Sequence, residues 1–135
     1  YWDISGDIHA GSRSRWLTED NDNYGFCKWV NANKKDWPDF RDFRLYGEWW
    51  GQGIQRGYSR QAKYFSPFYL PKGTETFFQE VPILYEGSFD AESIDEQITK
   101  LKVYGSVAAP GFMQPEGIVI YAEQSKAHWK IPFDK

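Results

Sequence analysis

The stretch Leu45-Tyr46-Gly47-Glu48-Trp49-Trp50-Gly51-Gln52-Gly53-Ile54-Gln55-Arg56-Gly57 most constrains how this chain folds. One carboxylate, two tryptophans and four glycines fall within thirteen residues. Each glycine costs backbone entropy and contributes no packing, so an ordinary strand avoids that many. The pattern predicts a backbone that comes close to something flat, with Glu48 held beside it.

The remaining residues bound what that contact serves. A chain of 135 residues is long enough for one domain with its own core. Aromatic residues make up 19% of it, so large rigid rings build much of that core or a binding platform. The lone cysteine, Cys27, excludes an internal disulfide, fits a reducing compartment, and reads as a small buried hydrophobe. No apolar run reaches the length of a membrane span, and no signal peptide is recognisable. The net charge of −3 argues against non-specific coating of nucleic acid. The charges are nonetheless segregated. Arg41, Arg44, Arg56, Arg60 and Lys63 outweigh Asp42 and Glu48, whereas Gly73 to Thr99 holds seven acidic residues and no Lys or Arg. The opening Tyr1-Trp2-Asp3-Ile4 reads directly as a strand, as expected of a chain cut inside a larger protein.

Periodicity predicts an α+β fold, mostly antiparallel strands with about two helices and no internal domain boundary. Ser5-Gly6 is expected to turn a hairpin between 1–4 and 7–12. Asp22 or Asn23 is expected to cap a helix running to about Lys34 and stopped by Trp37-Pro38. Strands are expected at 43–50 and 64–70, the second marked by Pro67 as an edge or bulge, with a short apolar run at 81–85. Asp90 should cap a second helix to about Val103, burying Ile94, Ile98 and Leu101. Closing strands are expected at 117–121 and 128–133.

Four segments could carry chemistry. In Gly11-Ser12-Arg13-Ser14-Arg15-Trp16, an extended backbone would put Arg13 and Arg15 on one face, where an anion such as phosphate would relieve their repulsion; a salt-bridged surface pair is the alternative. Glu48 stands where a strand runs into glycines, suited to a sugar hydroxyl or a metal-bound water, or simply to solvent. In Pro115-Glu116-Gly117-Ile118-Val119-Ile120-Tyr121 a carboxylate precedes an apolar strand and can bind a divalent cation, or act as a loop residue. Along Lys126 to Phe133, Lys126, His128 and Lys130 share one strand face, open to phosphate or solvent, and Trp129, Ile131 and Phe133 the other, expected to be core.

Taken in order, GSRSRWLT, GEWWGQGIQRG, the aromatic strand Lys63-Tyr64-Phe65-Ser66-Pro67-Phe68, PEGIVIY and the lysine-bearing last strand resemble the RNA ligase family of covalent nucleotidyltransferases, whose superfamily includes DNA ligases and mRNA capping enzymes. The resemblance covers essentially the whole chain. It implies a nucleotidyltransferase (ATP-grasp-like) core, with 1–135 an N-terminally truncated RNA ligase domain. It also implies ATP and Mg2+ (or Mn2+) as cofactors, RNA ends or a nicked duplex as partner, a monomer, and a cytoplasmic location, including the host cytoplasm for a phage- or virus-encoded enzyme. Such enzymes form a lysyl-adenylate from ATP, pass the adenylate to a 5′-phosphate and seal it to a 3′-hydroxyl. By resemblance Arg13 contacts the nucleotide and the incoming 5′-phosphate, with Arg15 a second candidate. Glu48 holds the ribose, Phe65 stacks on adenine with Phe68 in reserve, Glu116 acts near the metal, and Lys130 reaches the α-phosphate.

Two departures stand out. The family's closing strand carries two lysines one residue apart; here His128 takes one place, and Lys126 is the substitute. The nucleophile motif Lys-x-Asp-Gly is absent, the nearest candidate being Lys102-Val103-Tyr104-Gly105, which lacks the aspartate and follows a helix. The chain is therefore expected to be inactive alone and to form no lysyl-adenylate. Two other readings are a glycoside hydrolase using Glu48 and Glu116 as a carboxylate pair with Trp49 and Trp50 stacking on a sugar ring, and a non-catalytic aromatic-rich module for glycans or single-stranded nucleic acid.

Overall fold

Gly6 adopts φ 91° and reverses the chain, so that Trp2 bridges Ile8 as the hairpin reading predicts. In this computed structural model, which describes residues 1–69, 71–74 and 77–133, both oxygens of Asp3 brace the turn. One accepts from the backbone N–H groups of Ser5 and Asp7, the other meets His9 at 2.8 Å. Trp2 also exchanges both backbone hydrogen bonds with Phe43. At 2% exposure its ring is buried against Trp37, Phe40 and Phe43, and its indole N–H donates to the Pro38 carbonyl.

Helix α1, Phe26–Asn33, starts later than the sequence suggests because Gly25, with φ 80°, stands at its N-terminal boundary. Asp22 still serves its free donors from outside. Its Oδ1 accepts from Cys27 N–H and its Oδ2 from Lys28 N–H. The buried face of α1, Cys27 and Val30, packs with Ala10 and Leu17, and Phe26, Trp29, Trp37 and Ile8 surround them. Burial pushes the Cys27 thiol above its usual pKa, in keeping with a structural cysteine. A single 3-10 turn, Lys34–Asp36, follows before Trp37-Pro38 ends the helical path.

Strands β1 (Gly47–Gly51) and β2 (Lys63–Pro67) pair antiparallel. They are shorter than expected. The segment before Gly47 is drawn away by the Phe43–Trp2 bridge, and Leu70, the expected end of the second strand, lies outside the described residues. The apolar run 81–85 forms no strand; Val81 N–H donates to the Pro67 carbonyl instead.

Helix α2, Ala91–Tyr104, is capped as predicted by Asp90, whose carboxylate accepts from Glu92 N–H and the Ser93 hydroxyl. Leu101 is its buried residue, and Gly105 with φ 86° closes it. Strands β3 (Gly117–Ala122) and β4 (Ala127–Pro132) form the closing antiparallel hairpin. The described fold is thus mixed α+β, with two helices and two two-stranded antiparallel sheets. The sequence shows no linker, yet the contacts divide into two compact units: Tyr1–Gly57 with Gln61–Val81, and Tyr58–Arg60 with Pro82–Lys135.

Candidate functional site

In the first unit the candidate site is the β1–β2 ribbon. Its register places Glu48 opposite Ser66, Trp49 opposite Phe65 and Trp50 opposite Tyr64. Alternation then separates two faces. Trp49 and Phe65 turn to α1, with ring centroids 5.2 Å from Phe26 in each case. Phe65 also packs edge-on to Phe78. The Tyr24 carbonyl accepts from both the Trp49 indole N–H and Lys63 Nζ, tying the ribbon to the start of α1.

The other face carries exposed Glu48, half-buried Trp50 and Tyr64, and Ser66. Trp50 lies 5.2 Å from Tyr64, ring centre to ring centre, and donates its indole N–H to the Ser66 hydroxyl at 2.9 Å. A further ladder bond, Phe68 N–H to the Tyr46 carbonyl, carries the alternation on by one pair. Tyr46 and Phe68 therefore join Glu48's face, 66% and 46% exposed. Of the two expected adenine-stacking rings, Phe68 shares a face with Glu48, whereas Phe65 is packed on the opposite one. Of the two tryptophans the hydrolase reading stacks on a sugar, Trp50 shares Glu48's face and Trp49 does not; nothing local marks Tyr46 and Tyr64 as companions of Glu48. Their even spacing from Glu48 was the available signal, but it has meaning only once the pairing register is known.

The glycines answer to a different neighbour than expected. A Cβ on Gly47 would meet the Ser66 carbonyl, and one on Gly51 the Ala62 carbonyl. The close approach is to the partner strand's own backbone, not to a flat ligand. Gly51, Gly53 and Gly57 also hold positive φ, which turns the chain out of β1.

Arg13 and Arg15 do not sit side by side on a strand. Gly11 bridges Trp16 across a tight turn, inside which the Ser12 hydroxyl accepts from the N–H groups of Ser14 and Arg15. This local bonding displaces the extended ladder. Arg15 is committed to the backbone, donating to the carbonyls of Asn21 and Asp22. Arg13 is exposed and forms no hydrogen bond or ion pair among the described residues.

In the second unit Glu116 immediately precedes β3. Its N–H donates to the Tyr58 hydroxyl at 2.9 Å and its carbonyl accepts from Phe133 N–H. Both anchors hold the backbone, leaving the carboxylate's position set by a fixed main chain. On β4, Lys130 lies opposite Val119 and His128 opposite Tyr121, all four on one exposed face. Lys126 is not on that strand face. It occupies the turn before β4 with φ 54°, because the chain must reverse there. Trp129, expected in the core, is 53% exposed: a two-stranded hairpin has too little opposing surface to cover it.

Among the described residues no three of His, Cys, Asp and Glu gather as a metal-holding group, and no helix is long and apolar enough to cross a membrane. No protein-family model, curated protein or solved structure matches the chain.

Proposed function

We propose that this chain is the nucleotide-holding part of an ATP-dependent RNA ligase of the covalent nucleotidyltransferase superfamily. The reading is carried by the ordered motif set around Arg13, Glu48, Phe65 to Phe68, Glu116 and Lys130. It is supported by exposed Glu48 sharing a ribbon face with the exposed rings of Tyr46 and Phe68, a suitable arrangement for a ribose with its base.

In this reading Glu48 accepts from the ribose hydroxyls, and Phe68, on the same face, stacks on adenine. Phe65 supports the ribbon from the α1 side. Arg13 is the open guanidinium for a phosphate, and Arg15 holds the neighbouring loop. By motif order alone Lys130 is assigned the α-phosphate charge, with Lys126 as an auxiliary cation. Magnesium suits Glu116 because that ion commonly takes one or two carboxylates and completes its shell with water and substrate phosphates. When bound, it screens the triphosphate charge. No Lys-x-Asp-Gly nucleophile occurs in the 135 residues, so this chain binds ATP without reacting with it.

A thermal-shift titration tests the proposal. Saturating ATP with magnesium should raise the melting temperature by several degrees, as ligand at about a hundred times its Kd adds about 2.7 kcal/mol. Glu48→Ala should abolish the shift and Phe68→Ala should weaken it. Stabilisation by oligosaccharides and not by ATP would reject the ligase reading.

A further inference from the structure

We propose that Arg44 and Trp16 form a platform for a single-stranded polynucleotide, one stacking a base and the other pairing with a phosphate. The choice of RNA as that polynucleotide rests on the ligase reading; the platform itself rests on its own geometry. The guanidinium carbon of Arg44 lies 4.4 Å from the centre of the Tyr1 ring and 5.6 Å from that of Trp16. Two aromatic rings therefore fix where its charge sits. The Tyr1 ring is itself held, since its hydroxyl donates to Asp42 at 3.1 Å. The Trp16 backbone is fixed by its bridge to Gly11, and His9 meets its ring edge-on, yet 55% of the residue remains in solvent.

A purely structural staple would look different. It would bury the indole, and it would pair Arg44 with a carboxylate such as Asp42, two positions away in the chain. Instead Asp42 takes the Tyr1 hydroxyl, and Asp3 takes His9 and two backbone N–H groups. Among the described residues neither Arg44 nor Arg13 forms an ion pair, and both are exposed. Arg13 belongs to the same Gly11–Trp16 turn, so a second unpaired cation lies close in the chain. An exposed ring beside a pinned guanidinium that has no ion-pair partner among the described residues is what base stacking with phosphate pairing requires. A neutral glycan would use the ring and leave both cations without a role.

The test is fluorescence anisotropy of an end-labelled single-stranded oligoribonucleotide titrated with the 135-residue chain. Trp16→Ala and Arg44→Gln should each raise Kd by about tenfold. Trp16→Phe, which keeps a ring, should recover most of the affinity. Lys100→Ala, removing an equal charge from α2, should change Kd by less than about twofold. Circular dichroism checks that each variant is folded, and exposed Arg44 provides an answer even if a Trp16 variant unfolds. The proposal falls if Arg44→Gln binds like the parent, if Lys100→Ala weakens binding equally, or if a neutral oligosaccharide displaces the RNA. RNA binding that depends on Trp16 and Arg44 in a chain showing no ATP-induced shift would reject the ligase reading and keep the platform. An ATP-induced shift with RNA binding indifferent to both residues would do the reverse.

Discussion

Gly51 and Gly53 are close neighbours in one glycine-rich run, yet a side chain would meet different surroundings at each. At Gly51 a Cβ would overlap the Ala62 carbonyl, and φ is 120°; at Gly53 φ is 76° but the space is open. Gly53→Ala should therefore cost about 1 kcal/mol, the strain of a left-handed L-residue. Gly51→Ala should cost clearly more, because backbone overlap adds to strain. Chemical denaturation of the two variants measures this, and equal losses would refute the strand-contact explanation. The need for glycine was legible in the sequence. Its cause was not, since the Ala62 carbonyl reaches Gly51 only through pairing with a strand that begins twelve residues later.

Both helices depend on an aspartate, but only one of these arrangements follows the usual spacing. Asp90 sits directly at the start of α2 and was legible as its cap. Asp22 serves α1 across Gly25, so the helix start could not be placed from capping preference alone. Burial raises the Asp22 pKa, but the N–H groups of Cys27, Lys28 and Asn23 and the nearby Arg15 charge outweigh it, leaving the carboxyl below its usual range. A folded-state pKa below the unfolded one stabilises the fold above the ordinary value of about 3.9 and loses that contribution as pH falls through the lower folded value. Asp22→Ala should thus cost about 1 kcal/mol near neutral pH. The difference from the parent should shrink in acid below the ordinary aspartate range. Urea denaturation across that range checks it, and a difference constant with pH would rule out the carboxylate as the cause.

Across the whole molecule, the two compact units differ in how much they bury. The first gathers Trp2, Ala10, Leu17, Cys27, Val30 and Phe78 below the surface, with rings packed around them. In the second, β3 and β4 leave Val119, Tyr121 and Trp129 about half exposed. A two-stranded hairpin with so little cover is marginal by itself. Native-state hydrogen exchange should therefore show weaker protection at Ile120 and Trp129 than at Val30; equal protection would contradict the packing argument. The sequence by itself determined what local physics controls: the opening hairpin turn, the Asp90-capped helix and the closing strands. Tertiary structure decided which residues share a face. It gave Phe68 and Glu48 one ribbon face, turned Phe65 to α1, and brought the Arg44 guanidinium to the Tyr1 and Trp16 rings. Each of these depends on strand register or on contacts between residues distant in the chain, and a residue's own neighbours in sequence carry no energy that selects them.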